Sequence, residues 1–149
     1  MTKTSIENKP LKVFVDTNVI IDAITLRDYD YQPSKALLYC ITEGKVKGYI
    51  CSKQITDIYY IFRKYLQNEN DIRESIRKIA SFFEMLPLLK GDVLACLKTE
   101  MTDFEDAILC EVAKVNMIPM IVTNNINHFK NCKMIAVTPQ QFLDMFSLK

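Results

Sequence analysis

Short apolar runs rich in β-branched and aromatic residues alternate along this chain with longer stretches of helical period. That alternation restricts the fold more than any other feature. Leu11 to Val15 reads as a buried strand, and Val19 to Ile24 as a helix behind it, with Thr17 or Asn18 as its cap. Ser34 to Glu43 is a second helix, entered after Pro33 and stopped by Gly44. Gly48 to Cys51 is a brief strand, and Ser52 stands where a long helix reaching about Leu66 would be capped, with Ile55, Ile58, Tyr59 and Phe62 as its apolar stripe. Asp71 to Glu84 follows as a helix, Met85 to Leu88 as a strand and Asp92 to Lys98 as a short helix. Thr102 and Glu105 have the spacing of a capping box, opening a helix to about Asn116. Pro119 to Val122 is a strand, Ile126 to Phe129 a turn of helix, Lys133 to Val137 a last strand, and Pro139 opens a closing helix through Phe146. Such a succession predicts an α/β fold of three layers around a mostly parallel central sheet. Ligands in such sheets bind beyond the carboxyl ends of the strands, which is where Asp16 and the segment Thr123-Asn124-Asn125 fall.

The length of 149 residues fits one domain, expected over residues 11–149 behind a flexible, polar tail over 1–10. That tail lacks the apolar core of a signal peptide, and no run approaches the roughly 18 apolar residues that span a bilayer, so no membrane association is expected. Five cysteines, Cys40, Cys51, Cys96, Cys110 and Cys132, are widely spaced without a C-x-x-C pair. They read as small buried hydrophobes in a reducing cytoplasm and not as a zinc site. A net charge of +1 neither requires nor excludes a nucleic-acid partner. Phosphate contacts would have to come from local charge, for which Arg63, Lys64, Arg73, Arg77 and Lys78 are available.

Four aspartates stand within apolar sequence: Asp16 after Val13-Phe14-Val15, Asp57 between Ile55 and Ile58, and Asp103 and Asp106 ahead of Ala107-Ile108-Leu109-Cys110. Burying an unpaired carboxylate is costly, and no arginine or lysine adjoins them in sequence, so a hard divalent cation is the economical counter-charge. Each also has a plainer reading. Asp16 could cap a helix, although Thr17 and Asn18 offer to do so. Asp57, well inside an expected helix, could face solvent. Asp103 and Asp106 could favour the positive end of a helix dipole, although Thr102 and Glu105 supply the box. Three apart, those two can aim at one point. Asp22, Asp28, Asp30 and Glu100 read as surface or supporting acids. His128, the only histidine, reads as a surface residue, and no nucleophile elbow accompanies it.

These motifs resemble a family. Val-Phe-Val-Asp16-Thr17-Asn18-Val-Ile-Ile-Asp22, Ser-Lys-Gln-Ile-Thr-Asp57-Ile-Tyr-Tyr, Asp103-Phe-Glu-Asp106-Ala-Ile, Ile-Val-Thr123-Asn124-Asn125-Ile-Asn-His128-Phe129 and Val-Thr-Pro139-Gln-Gln-Phe-Leu are similar, in order and spacing, to the PIN domain of VapC-type toxins, and to its subgroup with a D-F-x-D motif. The resemblance covers about Leu11 to Phe146. It implies a three-layer α/β/α PIN-like fold and an endonuclease that hydrolyses RNA with Mg²⁺ or Mn²⁺. It implies Asp16, Asp57 and Asp106 as acids of the site with Asp103 added, and Thr17, Asn18, Thr123 and Asn125 in support. Asn125 and His128 fall where relatives often carry further acids. Arg63 and Lys64 are expected to meet the substrate. A homodimer and an antitoxin that blocks the acidic site are implied as partners.

Two other readings remain at this stage. A phospho-acceptor receiver domain also clusters aspartates on an α/β frame, but Asp16 is followed by Thr17-Asn18 and Met85-Leu86-Pro87-Leu88 ends without an acceptor aspartate. A catalytically silent PIN-like module would bind RNA or protein without cutting.

Overall fold

The computed structural model of the chain describes residues 9–27 and 30–148; residues 1–8 of the expected tail, and Asp28, lie outside them. Five strands form one parallel sheet, β1 (Leu11–Val15), β2 (Val46–Cys51), β3 (Glu84–Leu86), β4 (Met120–Val122) and β5 (Ile135–Val137), in the order β3-β2-β1-β4-β5. The helices are α1 (Thr17–Thr25), α2 (Gln32–Thr42), α3 (Gln54–Tyr65), α4 (Glu69–Phe82), α5 (Lys90–Cys96), α6 (Phe104–Val115) and α7 (Pro139–Met145), with a 3₁₀ turn at Ile126–Phe129.

Side-chain alternation along the strands divides the interior into two layers. Val13, Val15, Ile50, Met120 and Val122 pack with α1–α4 and α7, whereas Phe14, Tyr49, Cys51 and Ile121 pack with α6 and the segment through Phe129. Both faces of the sheet are therefore covered, as a parallel sheet requires. Gly48 is fixed by this packing. A Cβ there would come within 2.8 Å of the Phe83 ring and 2.9 Å of Ile41 Cδ1.

The chain runs outward from β1 to β2 and β3, then returns to lay β4 on the other flank of β1. That reversal opens a crevice at the carboxyl ends of β1 and β4, the usual binding position of an open α/β sheet.

Two helix starts differ from expectation, for one physical reason. α1 begins at Thr17 because Asp16 itself is the cap, its Oδ1 accepting the Thr17 N–H at 2.8 Å. α6 begins at Phe104 because Asp103, not Thr102, is the cap and accepts the Asp106 N–H at 2.9 Å. Aspartate competes with threonine at this position, so neighbouring Thr residues are no proof that an acid is spare. Ser52 makes no cap either: Lys53 holds that position ahead of α3, without a side-chain bond.

The cysteines are corrected as well. Cys110 of α6 and Cys132, 22 residues later, are joined as a disulfide, and Cys40, Cys51 and Cys96 are free and buried. The pairing is tertiary, created where α6 packs beside the segment that follows the 3₁₀ turn. Spacing alone does not reveal it. No helix among the described residues is long and apolar enough to cross a membrane.

Candidate active site

Asp16 lies at the base of the crevice. As the residue between β1 and α1 it continues the β1–β4 ladder, its own N–H donating to the Val122 carbonyl at 2.9 Å. It is 6% exposed. Its Oδ2 accepts the hydroxyl of buried Thr123 at 2.8 Å, and that hydroxyl oxygen accepts the Asn125 N–H at 3.0 Å. Among the described residues no basic side chain is bonded to it. Burial pushes its carboxyl above the usual range, against the Thr123 and Thr17 hydrogen bonds and His128, while Asp103 adds to the rise.

Asp106 stands opposite, in the first turn of α6. Its carboxyl is pushed up to about 6 by burial first, then by Asp16 and Asp103, with His128 acting the other way. Its Oδ2 is buried without a hydrogen-bond partner; His128 Nδ1 is 3.3 Å away but not aligned to donate. A buried carboxylate oxygen left orphaned is rare enough to need a reason. A divalent cation supplies one.

A cleft of about 390 Å³ joins these groups, lined by Asp16, Thr17, Asn18, Asp57, Lys64, Glu105, Asp106, Asn125 and His128 among others. Thr123 supports the cleft from behind through Asp16. Asp103 does not line it, but its charge reaches both Asp16 and Asp106. Of the two basic residues expected at the substrate, Lys64 lines the cleft, with its ammonium 5.0 Å from the Tyr60 ring centre. Arg63 is exposed on the side of Tyr59 and Glu69. Arg73 and Arg77 pair with Glu69 and Glu74 on α4, away from the cleft.

Asp57 differs from the expectation of an unneutralised acid. Lys53, one helical turn earlier, donates to its Oδ2 at 2.7 Å and reaches Glu105 Oε1 at 3.4 Å. Burial works against the Lys53 ammonium, but Asp57 and Glu105 outweigh it and hold its pKa above the ordinary value. The i,i+4 spacing of Lys53 and Asp57 was visible in the sequence and identifies the pair.

Two further residues carried little sequence signal. Gln54, fully buried, accepts the Cys51 N–H at 2.7 Å and donates to the Val15 carbonyl at 2.9 Å and the Thr17 hydroxyl at 3.1 Å. It ties the ends of β1 and β2 together beneath the cleft. Asp22, also buried, pairs with Arg27 at 2.6 Å and accepts from Asn124 at 2.9 Å, while Arg27 also donates to Asn18 at 2.9 Å. Asp22 is thus a neutralised support for Asn18 and Asn124.

Mg²⁺ or Mn²⁺ fits Asp16 and Asp106, since such ions keep several waters and take few carboxylates. A four-acid cage does not fit: among the described residues no three acidic, histidine or cysteine groups converge to hold an ion by themselves. A larger cavity of about 640 Å³ beside α5 and α6 holds opposed surface charges such as Lys98, Glu100, Glu111 and Lys114, and none of the buried carboxylates above.

A parallel α/β/α frame with buried acids beyond its strand ends puts these carboxylates where open α/β sheets bind their ligands. Residues 12–127 match the family model of the PIN domain, and the chain belongs to that family. The receiver-domain alternative is thereby set aside. The chain is 23% identical over 141 residues to ribonuclease VapC1 of Aquifex aeolicus, covering 91% of this chain and 96% of that protein. Its fold is similar to VapBC2 of Rickettsia felis, solved bound to a promoter DNA fragment, with a TM-score of 0.63 and 16% identity over 85% of this chain and 97% of that one. It is equally similar to a toxin–antitoxin complex from Klebsiella pneumoniae, with a TM-score of 0.63 and 22% identity over 85% and 97%.

Proposed function

We propose that this chain is a Mg²⁺- or Mn²⁺-dependent endoribonuclease acting in the cytoplasm as the toxin of a type II toxin–antitoxin pair. The observation that carries the reading is the pair Asp16 and Asp106. Both carboxyls are held toward the protonated form, and one oxygen of Asp106 has no partner. The likeness to a VapC ribonuclease over nearly the whole of both chains supports RNA as the substrate. Similarity to subunits of toxin–antitoxin assemblies supports an antitoxin partner. The homodimer belongs to the same reading.

When bound, a divalent ion activates a water and neutralises charge gathering on the phosphoryl oxygens. The chain's own residues do the rest. Asp16 and Asp106 would hold the ion. Thr123 keeps the Asp16 carboxylate aimed, and Asp103 fixes the first turn of α6 and contributes through water. Thr17, Asn18 and Asn125 orient waters or phosphate oxygens at the rim. Lys64 draws the RNA backbone into the cleft, and Arg63 meets it further along α3. Asp57 belongs to the acidic rim and acts through Lys53. The D-F-x-D spacing is part of this proposal, because it makes one acid the cap that positions the next.

The test is Mn²⁺-dependent cleavage of single-stranded and structured RNA by wild type and Asp16→Asn. Cleavage by the wild type alone is expected. Equal cleavage by both proteins removes the assignment, and Mn²⁺ binding with no cleavage of any RNA by the wild type favours the silent binding module, a reading that draws on Asn125 and His128 standing where relatives often carry acids.

A further inference from the structure

Among the described residues, Lys53 is the one lysine or arginine paired with acids lining the cleft. An exposed i,i+4 ion pair would deserve no functional reading, since such pairs contribute little. Lys53 is different in two respects. Its side chain is only 23% exposed, and it bridges carboxylates from two separate elements, Asp57 of α3 and Glu105 of α6. It is also rigidly based. It sits at the cap position of α3, immediately before Gln54, whose hydrogen bonds anchor the β2–α3 junction to β1.

The charge balance of the cleft gives this position a meaning. Asp16, Asp57, Glu105 and Asp106 bring four negative charges to the lining, and Lys53 and Lys64 bring two positive ones. The net charge of these six side chains, minus two, is what a single divalent ion satisfies. A second ion would have to enter beside Asp57 and Glu105, against an ammonium that donates to Asp57 and lies 3.4 Å from Glu105. An ammonium is a compact point charge with three donors, able to take over from those acids to a phosphate oxygen as RNA arrives.

We propose that Lys53 is the built-in second cation of the cleft: its ammonium fills the Asp57–Glu105 side, so one divalent ion and not two is taken at Asp16 and Asp106, and the ammonium supplies the other positive charge facing the scissile phosphate. This rests on the metal-dependent reading above and adds to it a stoichiometry and a residue. It also assigns Glu105 a role beyond the helix end, as the second arm that keeps Lys53 over the cleft.

The experiment is calorimetric titration of the full chain with MnCl₂ at near-neutral pH, without RNA. The wild type is expected to bind one Mn²⁺ per chain and Asp16→Asn none. Lys53→Met and Lys53→Gln are both expected to bind two, and Lys53→Arg one. The second neutral variant guards against misfolding of the first. Two sites in the wild type, or a single site in both neutral variants, overturns the proposal while the ribonuclease reading stands on its own cleavage assay. No Mn²⁺ binding by the wild type overturns both.

Discussion

Asp16 and Asp22 sit at the two ends of the same short stretch of chain, and they are almost equally buried, at 6% and 4% exposed. Their surroundings are opposite. Asp22 has an arginine at 2.6 Å and a side-chain amide at 2.9 Å. Asp16 has a hydroxyl and a backbone amide, and no cation. A buried carboxylate with an ionic partner is a completed piece of structure, because removing either partner leaves an uncompensated buried charge. A buried carboxylate supported only by dipoles stores unfavourable free energy until a cation arrives. The comparison separates an acid that the fold pairs with a cation from one that it leaves to dipoles alone, which is why the proposed chemistry is placed on Asp16.

The largest effect that could break this contrast is catalytic. Asp16→Asn should lower Mn²⁺-dependent RNA cleavage on the order of a thousandfold, about 4 kcal/mol of barrier. The same variant should leave the metal-free fold at least as stable as wild type in urea titrations, since it removes a buried charge without an ionic partner. A clear loss of metal-free stability would put Asp16 in the same category as Asp22.

For Asp22 the expectation reverses. Asp22→Ala leaves Arg27 partly buried without its partner and should cost about 3 kcal/mol of stability, read from the urea midpoint. Changing Arg27 to Met in the same chain should recover part of that loss. Instability equal in the single and double variants would show that the ion pair is not the cause.

A third, smaller effect is a pH dependence. Asp106 is held at about 6 in the folded chain against an ordinary value of 3.8. Between those values the folded state binds more protons than the unfolded state, so metal-free stability should fall as pH rises from about 4 to about 6 and level off above. Asp16, raised by burial, pushes in the same direction. Saturating Mn²⁺ should flatten the fall, and Mn²⁺ affinity should weaken below about pH 6 as protons compete for the same oxygens. Thermal melts across this range with and without Mn²⁺ measure both, and a flat metal-free profile counts against a displaced Asp106.

The smallest effect concerns the acid that caps. Asp103→Ala should cost about 1 kcal/mol through loss of the α6 cap. By removing a neighbouring negative charge it should also ease the ionisation of Asp106, moving the pH transition downward. Asp103→Ser, which keeps the cap but not the charge, separates the two contributions.

Much of the architecture was legible because local pattern and tertiary demand agree. The apolar runs at Leu11–Val15 and Met120–Val122 became adjacent central strands, and the turn at Ile126–Phe129 formed where it was expected. What the sequence concealed depended on partners distant in the chain or hidden by an assumption. Cys110 and Cys132 meet only once α6 has docked. Arg27 reaches Asp22 across the end of α1, and Gln54 looks like an ordinary polar residue at a helix start until its three hydrogen bonds are seen. Capping hides the acids for a different reason. Asp16 and Asp103 take the cap positions that the neighbouring threonines also suit, so each is both a cap and a charge near the cleft. Lys53 is not adjacent to Asp57 in sequence, and the two meet because neighbours on a helix lie four residues apart.

The hydrogen bond from Thr123 to Asp16 spans 107 residues, and β4, which delivers Thr123, inserts between β1 and β5. Such distant pairing adds to the loop-closure cost of folding and raises the contact order. A nascent chain halted before Met120 has Asp16, Asp57, Asp103 and Asp106 already synthesised but no strand to close the crevice around them. The arrangement of acids is therefore a property of the finished fold, and the growing polypeptide carries these carboxylates scattered until synthesis has passed β4.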